Sequence, residues 1–417
     1  MAGRYQELGV ASDYSPNWGL RQDEYITELR GTRGIKRLRE MRDNDPIIGA
    51  ILASMDLMIR ATKWRVEGPD DESNAFLNDC LHNMQDRTFE EFIADALSFL
   101  PYGFSLFEIV YKKRQDGKIG IGKLAPRAQW TIDRFDVTDT GEIKGVYQSA
   151  AQKSAYIPFT IYNGVAKMLH FRAVSINNEP SGRSILRNAY TSWYAANEIK
   201  RIEAIAIERE LNGLPIVTVP SEYLSPDATE SQKAFINQIK KIARDVKRNE
   251  QGYIVLPSDL YADDDGKLTT KAMVDFRLIA SQGTRDIDTG KTILRLQQDM
   301  ARSAMADFIM LGANDRGSFA LSQSKSQLFL RALEGYADVI SGTMNRVLIP
   351  SLWKINGFDP AKMPKLARGR VAPVDLEELG NFIQRATMAG AELFPDTVLE
   401  DHVRDVAGLP PKAQADA

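Results

Sequence analysis

The chain has 417 residues, of which 43% are hydrophobic and 26% charged, so it has the composition of a folded protein of two or three domains. Its formal net charge of −3 excludes a uniformly basic protein that coats nucleic acid by neutralising phosphates. Cys80 is the single cysteine and the three histidines are widely spaced, which excludes an intrachain disulfide and a CxxC site and argues against a histidine-rich metal centre.

The first 180 residues predict a mixed α/β domain that follows a polar N-terminal arm. The arm has a short predicted helix and a basic run, which either forms a solvated face or contacts an acidic neighbour or a nucleic-acid backbone. The basic residues are Arg30, Arg33, Lys36, Arg37, Arg39 and Arg42. Asp45-Pro46 is a favoured helix start, and Thr88 with Glu91 has the spacing of a capping box. Strands are predicted at 63–67, 104–111, 128–133 and 143–147, with turns at Asp116-Gly117 and Thr140-Gly141.

Long helical patterns dominate the second half of the sequence. They cover residues 181–211, 287–311 and 318–349, and Pro350 is predicted to end the last of them. The other predicted elements are strands at 215–219, 252–256 and 272–278, a basic helix before the second of these strands, a Pro- and basic-rich linker at 360–373, short helices at 375–388 and 396–406, and a small-residue tail.

Two motifs resemble ligand-binding sites without meeting their requirements. Gly290-Lys291-Thr292 matches the end of a phosphate-binding loop, but Arg285 stands where such a loop needs glycine, so Asp286 or Asp288 is the predicted cap of an ordinary helix. Gly120 opens a loose dinucleotide-binding pattern that continues with strand-like alternation instead of a helix. We find no credible catalytic centre and predict a protein that is not an enzyme and holds no cofactor or metal.

The basic helix has apolar residues on one side and cations on the other. Its apolar stripe is Phe235, Ile239, Ile242 and Val246. Its cations are Lys233, Lys240, Lys241, Arg244, Lys247 and Arg248. The charged side is either a solvated face or a contact surface for a partner protein or for DNA phosphates.

Four stretches resemble the portal proteins of tailed bacteriophages, in particular the Mu-like branch, through their order and spacing. They are MRDNDPIIGAILASMDLMIRATKWRVEG from Met41, LPYGFSLFEIVYK from Leu100, SGRSILRNAY from Ser181 and RGSFALSQ from Arg316. The resemblance covers most of the chain from residue 41 to 350. It implies an α+β, portal-type fold with an α/β wing, long stem helices, a small strand–helix–strand clip and a helical C-terminal crown.

The resemblance implies a portal region for each part of the sequence. These regions are the arm at 1–45, the wing at 46–180, the first stem helix at 181–213, the clip insert at 214–283, the second stem helix at 284–311, the tunnel loop and a long helix at 312–350, and the crown and tail at 351–417. The tunnel loop that would face DNA is Gly312, Ala313, Asn314, Asp315, Arg316 and Gly317. The docking face of the clip would be Lys240, Lys241, Arg244, Lys247 and Arg248.

A portal implies a ring, usually of twelve subunits, that forms the head–tail connector at one capsid vertex. Double-stranded DNA would pass through its channel without sequence specificity during packaging and ejection. The implied partners are other copies of the chain, the terminase large subunit, head-completion or adaptor proteins, and the major capsid and scaffolding proteins. The implied location is the virion, and the host cytoplasm during assembly. No membrane is implied, and no apolar run approaches the ~18 residues of a membrane span.

Two other functions stay open at this point. The chain could be another capsid-associated structural protein such as an adaptor, although adaptors are usually much shorter than 417 residues. A nucleic-acid-processing packaging enzyme is the rival from another class. Such an enzyme needs an intact nucleotide site or paired metal-binding carboxylates, and the sequence offers neither.

Overall fold

The chain folds into a larger and a smaller unit. The computed structural model describes residues 24–138, 140–150, 153–174, 178–212, 214–247, 259–262, 267–279, 288–307, 319–371, 376–391 and 393–407. Residues up to 190 and from 298 onward form the larger unit, and residues 191–297 form the smaller one. None of the described helices combines the length and the apolar character that a bilayer crossing requires.

The helices and strands fall into three consecutive stretches of the chain, residues 31–172, 190–303 and 319–406. The first group is α1 (Gly31–Asn44), α2 (Pro46–Arg60), β1 (Trp64–Glu67), α3 (Asp71–His82), α4 (Phe89–Ala96), α5 (Phe99–Tyr102), β2 (Phe104–Lys113), β3 (Ile119–Arg127), β4 (Ile132–Val137), β5 (Ile143–Ala150), β6 (Lys153–Pro158), β7 (Thr160–Ile161), β8 (Val165–Ala166) and β9 (Met168–Arg172). The second is α6 (Tyr190–Asn212), β10 (Leu214–Thr218), α7 (Glu230–Lys247), β11 (Leu260–Ala262), β12 (Leu268–Ala272), β13 (Asp275–Ile279) and α8 (Thr289–Ser303). The third is α9 (Phe319–Thr343), α10 (Ile349–Asn356), β14 (Lys365–Arg368), α11 (Leu376–Met388) and α12 (Thr397–Val406).

Two predicted helix starts are confirmed by their side-chain caps. The Asp45 carboxylate accepts hydrogen bonds from the backbone N–H groups of Ile47 and Ile48, at 3.0 and 3.1 Å. Thr88 Oγ1 accepts from the Glu91 N–H at 3.2 Å, while the Glu91 carboxylate accepts from the Thr88 N–H at 3.0 Å. These bonds satisfy N–H groups that have no partner inside the helix, which is why the local sequence is enough to place both starts.

The last part of the predicted arm is the packed helix α1, which is longer than the short helix predicted there. Ile35, Leu38 and Met41 on this helix are fully buried. On its polar side, the guanidinium of Arg39 lies 4.5 Å from the centre of the Trp130 ring. At least Arg39 of the basic run therefore packs on an aromatic ring of the larger unit.

Antiparallel sheets form the β part of the larger unit. β2 lies between β3 and β9, and β5 lies between β4 and β6. Both predicted turns are confirmed, with positive φ angles of 80° at Gly117 and 86° at Gly141 that favour glycine. The stretch from Gly120 is part of β3, as its alternation predicted. β1 pairs with β14, so the predicted linker at 360–373 contains a strand that pairs with the N-terminal part of the chain.

The core of the larger unit lies between the first helices, the sheet β3-β2-β9 and the helices α9 and α10. The ring centres of Phe92 and Phe107 are 5.0 Å apart, and those of Phe107 and Phe171 are 5.9 Å apart. Phe329 on α9 and Leu352 on α10 are 1% and 0% exposed within the same cluster. Residues from both ends of the sequence therefore share one core.

The first long helix begins at Tyr190, and not at residue 181 as its periodicity predicted. Gly182 has a φ of 54°, which is outside the right-handed helical region. A Cβ atom at this position would lie 2.3 Å from the carbonyl oxygen of Gly103. A close backbone contact therefore holds this segment in a non-helical path, and a single-sequence pattern carries no signal of that contact.

The other two long helices also differ from the prediction at their ends. α8 ends at Ser303, and Met305 has a φ of 57°. Pro350 does not end the third helix: α9 continues through a π-helical turn, Met344–Leu348, into α10, whose first turn contains Pro350. Proline has no N–H to donate, and a wider turn directly before it makes room for its ring, so the chain stays helical.

The smaller unit has strand and helix content of the predicted kind. β10 pairs with β13, and β11 pairs with β12, both antiparallel. β10 agrees with the strand predicted at 215–219 to within one residue at each end. The strand predicted at 272–278 corresponds to the end of β12 and most of β13, and the strand predicted at 252–256 lies outside the described residues.

Candidate functional site

The basic helix α7 packs through its apolar side within the smaller unit. Thr229 Oγ1 accepts from the Gln232 N–H at 3.4 Å and Gln232 Oε1 accepts from the Thr229 N–H at 2.8 Å, so a reciprocal cap fixes the helix start. Ile239 is 5% exposed. The Phe235 ring meets Tyr223 edge to face, with the ring centres 5.8 Å apart. The predicted apolar stripe is thus the packed side wherever its side chains are described.

The lysines of α7 lie on its open side. Lys240 and Lys241 are exposed, and Lys233 pairs with Glu230 at 3.5 Å. Arg244 and Lys247 belong to the same helix, and Arg248 lies outside the described residues. The structure therefore presents two of the five predicted docking residues, Lys240 and Lys241, to solvent.

Helix α6 exposes three isoleucines that the sequence pattern does not identify as surface residues. Ile202 is 59% exposed, Ile207 is 51% exposed and Ile205 is 37% exposed, all within two turns of the helix in the smaller unit. Ile202 and Ile205 are three residues apart and share one side of the helix, whereas Ile207 lies about 140° around the axis from Ile202, so α6 exposes apolar side chains on more than one side. The sequence periodicity does not single them out, because the apolar residues of 202–207 fall on several sides of the helix and define no single apolar face.

The motif at Gly290-Lys291-Thr292 lies in the first turn of helix α8, and Asp288 caps this turn. Asp288 Oδ1 accepts from the Lys291 N–H at 2.9 Å, and Asp288 Oδ2 pairs with the Lys291 ammonium at 2.8 Å. The hydrogen bond from Lys291 lowers the pKa of Asp288, and the same bond raises the pKa of Lys291. The Asp288 side chain caps the start of this helix, as one of the two predicted caps.

Two of the stretches that carry the portal resemblance contact each other. The Ser184 hydroxyl donates to the Pro101 carbonyl at 2.6 Å, and the Ile185 N–H donates to the Leu100 carbonyl at 3.1 Å. These bonds join the beginning of SGRSILRNAY to the beginning of LPYGFSLFEIVYK. The side-chain bond gives Ser184 a structural reason, and the two bonds together hold residues 184–185 against Leu100 and Pro101.

The SGRSILRNAY stretch also anchors the first described residues of the chain. Arg187 forms a two-pronged ion pair with Glu24, at 3.1 Å from Nε and 2.7 Å from Nη2. Burial acts to raise the pKa of Glu24, but its hydrogen bonds with Arg187 and the Ile26 backbone outweigh burial and lower it. A bidentate, partly buried pair of this kind fixes geometry as well as charge.

Glu108 in LPYGFSLFEIVYK is the centre of a charge cluster across the sheet. Its carboxylate contacts the guanidinium of Arg127 and lies 2.9 Å from the ammonium of Lys167. Burial acts to raise the pKa of Glu108, and the hydrogen bonds from Lys167 and Arg127 outweigh it, so the pKa is lowered. This carboxylate, ion-paired with two cations, joins adjacent segments of the chain.

The single cysteine and the possible metal ligands among the described residues form no reactive or metal-binding site. Cys80 is 3% exposed, as a core residue is expected to be, and burial raises the pKa of its thiol. No group of three or more His, Cys, Asp or Glu side chains in the described ranges could hold a metal ion. The predicted tunnel loop, Gly312–Gly317, lies outside the described residues.

Comparison with known proteins gives one family and several similar folds. A family model described as the portal protein of Mu bacteriophage matches residues 35–409. A chain from the virion of a native gene transfer agent (GTA) particle is similar with a TM-score of 0.56 at 11% identity, over 95% of this chain and 97% of that chain. A chain from the neck of a native GTA particle computed with C12 symmetry has a TM-score of 0.54 at 12% identity, over 90% and 94%. At these identities the structural similarity concerns the fold.

Proposed function

Because the chain belongs to the portal-protein family of Mu bacteriophage, we propose that it forms the ring at one capsid vertex through which double-stranded DNA enters and leaves the particle. The observation that carries this proposal is the family match over residues 35–409, which spans both units of the fold. The particle-neck fold with C12 symmetry supports a ring of twelve subunits. As a portal, the protein is a structural component of the virion.

The regions of the portal are proposed on the sequence resemblance and are compatible with the observed elements. The two regions with the clearest structural counterparts are the wing, with the sheets β3-β2-β9 and β4-β5-β6, and the clip, with α7 and the β10–β13 pair. α6 and α8 would be the stem helices, the segment from Gly312 to Gly317 the DNA-facing loop, and the C-terminal helices the crown. The boundaries of the clip at 214–283 and of the crown and tail at 351–417 are proposed on the same resemblance.

Charge supports a channel that does not hold DNA tightly. Dense pairing of cations with phosphates makes binding strong and salt-dependent, which would slow translocation. A chain with a net charge of −3 lacks the cation excess for such a grip. DNA would accordingly pass without sequence-specific contacts, since specificity requires fixed contacts to base edges.

The subunit contact is proposed to include the exposed isoleucines of α6. Each subunit of a cyclic ring offers one surface to the next subunit and a different surface to the previous one. Ile202 and Ile207 are more than half exposed in the single chain, and burial of such side chains is a main source of association energy. Ring closure would cover them.

Docking of other proteins is proposed at the charged side of α7. Charge complementarity mainly speeds and orients encounter, and Lys240 and Lys241 are exposed for that purpose. The proposed partners are the terminase large subunit during packaging and the head-completion or adaptor proteins afterwards. The major capsid and scaffolding proteins would contact other surfaces of the ring, in the host cytoplasm during assembly and in the virion.

Two alternatives are weaker. A packaging enzyme needs a nucleotide or metal site, and the motif at Lys291 is capped by Asp288 instead. An adaptor or another capsid-associated protein is disfavoured by the family match.

The mass of the purified protein tests the proposal directly. One chain weighs 46.7 kDa, so a dodecamer should scatter light as a particle of about 560 kDa and appear as a ring in negative stain. A protein that stays monomeric or dimeric at all concentrations would contradict a portal function.

A further inference from the structure

The C-terminal end of α8 contains a backbone conformation that its residue type disfavours. The Met305 N–H donates to the Arg302 carbonyl at 3.0 Å, and the Ala306 N–H donates to the Ala301 carbonyl at 2.8 Å. These two bonds form a Schellman motif, in which the residue at the Met305 position is left-handed, and the φ of Met305 is 57°. Glycine usually occupies this position, because a side chain is strained there. The helix therefore ends on a strained residue.

The local sequence favours a longer helix. Residues 304–307 are Ala-Met-Ala-Asp, in which alanine and methionine are strong helix formers and no glycine, proline or asparagine signals an end. The periodicity predicts a helix up to residue 311, whereas the structure ends it at Ser303. A conflict between local preference and observed structure at a strained residue is typical of functional elements.

Two tertiary contacts hold the observed end against this local preference. Ala306 is fully buried in the core of the larger unit. The Lys325 ammonium on α9 pairs with the Asp307 carboxylate at 2.6 Å, and 32% of the lysine and 19% of the aspartate side chain are exposed. An alanine buries little apolar area, and a partly exposed ion pair contributes little stability. The contacts that oppose a longer helix are therefore weak.

A helix that continued past Ala301 would break both contacts. Successive residues of an α-helix are about 100° apart around its axis, so Ala306 would lie about 140° and Asp307 about 120° from Ala301, in opposite directions. Ala301 is fully buried, so Ala306 would turn away from the core and Asp307 away from Lys325. Burial of Ala306 and the ion pair therefore belong to the observed end of α8.

We propose that helix α8 has two end states, and that the ion pair between Asp307 and Lys325 selects between them. In the observed state the pair is formed and Met305 is strained. In the other state the helix continues through Asp307, Met305 is relaxed and the Lys325 ammonium is free. Because the pair exists in one state only, any anionic group that takes Lys325 shifts the equilibrium toward the longer helix. The inference does not depend on ring formation.

The rate at which Lys325 is acetylated by N-hydroxysuccinimide acetate, measured by mass spectrometry on the purified full-length protein, tests the proposal. Met305→Gly and Met305→Asn tolerate the left-handed conformation, so each should slow acetylation of Lys325 roughly fivefold. Met305→Ile, whose branched side chain opposes that conformation, should speed it severalfold. A helix end with a single state predicts equal rates in Met305→Gly, Met305→Asn and the parent, and that result would overturn the proposal.

Removal of the ion pair separates the two end states from a local effect of residue 305. In Asp307→Asn the Lys325 ammonium has lost its carboxylate partner, so acetylation should be fast, and adding Met305→Gly should no longer slow it. The matched control is Met388→Gly, which changes a methionine on α11 that is 78% exposed, and should leave the rate at Lys325 unchanged. Exposed Lys153 at the start of β6 serves as the internal standard in every variant. An effect of Met305→Gly that persists beside Asp307→Asn, or a slower reaction in Met388→Gly, contradicts the proposal.

Discussion

His170 lies among aromatic rings at the centre of the larger unit. Its ring centre is 5.3 Å from that of Phe135 and 5.6 Å from that of Phe159, and its buried Nε2 has no hydrogen-bond partner among the described residues. Burial, assisted by the nearby charge of Arg172, lowers the pKa of His170 from its ordinary value near 6.5 to about 3. The folded protein therefore keeps this imidazole neutral where the unfolded chain would take up a proton.

This difference in proton uptake predicts a pH dependence of stability. The contribution of neutral His170 to the free energy of unfolding is fully present above pH ~6.5. It is lost as the pH falls from there toward 3, by on the order of 1 kcal/mol per pH unit. His170→Gln cannot be protonated, so its unfolding midpoint should fall less steeply between pH 6.5 and 4 than that of the parent. The measurement is the urea midpoint of both proteins across that range. Parallel curves would show that His170 is not the titrating group.

Single residues with local partners could be predicted from the sequence, and residues with distant partners could not. The caps at Asp45, Thr88 and Asp288 each bond within three residues of themselves, so the local pattern was sufficient. Glu108 on β2 forms ion pairs with Arg127 at the end of β3 and with Lys167 between β8 and β9, which the fold brings together. Nothing in the local sequence could have assigned that partnership.

At the scale of elements, the errors of prediction have the same origin. The pairing of Trp64 in β1 with Arg368 in β14 joins segments about three hundred residues apart. Because this partner is so distant, the local sequence predicts a linker where the strand at 365–368 lies. The contact of Gly182 with Gly103 delays the start of α6. Both depend on long-range contacts, whereas the periodic helices and the two glycine turns needed only their own residues.

Helix α7 supports a prediction about docking. Changing Lys240 and Lys241 to Glu reverses charge on its exposed side and leaves the packed Ile239 untouched, so the ring should assemble. Repulsion of the motor should then reduce the yield of DNA-filled heads by roughly tenfold in a packaging assay at low salt. Lys153→Glu, an exposed lysine at the start of β6, is the control and should package normally. Normal packaging by the double variant would leave the α7 lysines as a solvated face.

Helix α6 supports a prediction about assembly. If Ile202 and Ile207 are covered by a neighbouring subunit, Ile202→Ser and Ile207→Ser should each weaken a subunit contact by about 1.5–3 kcal/mol. Analytical ultracentrifugation should show smaller species at concentrations where the parent remains a ring. Leu224→Ser changes a side chain that is 66% exposed elsewhere in the smaller unit and serves as the control. If the isoleucine variants sediment as the parent does, α6 lies outside the subunit contact.

At the scale of the whole molecule, one buried core in the larger unit contrasts with exposed apolar and charged side chains on α6 and α7. One core is built from both ends of the sequence, with the segment 191–297 inserted between them. What a single chain leaves exposed, such as the isoleucines of α6 and the lysines of α7, is what a ring with docking partners would use.

The segment from Gly312 to Gly317, which is proposed to face DNA, provides the prediction that belongs to the complete ring. Asp315 and Arg316 are the only charged residues from Gly312 to Gly317, so the loop is neutral in sequence. Replacing Asn314 and Asp315 by Arg would place many cations around the channel, and their pairing with phosphates should slow packaging or DNA release at least severalfold. The defect should shrink as salt rises from about 0.05 to 0.3 M, because salt screens the contact. Asn314→Gln combined with Asp315→Asn adds no cation and should behave nearly as the parent. Packaging by the arginine variant at the parent's rate, or a defect that salt does not relieve, would remove this loop from the DNA path.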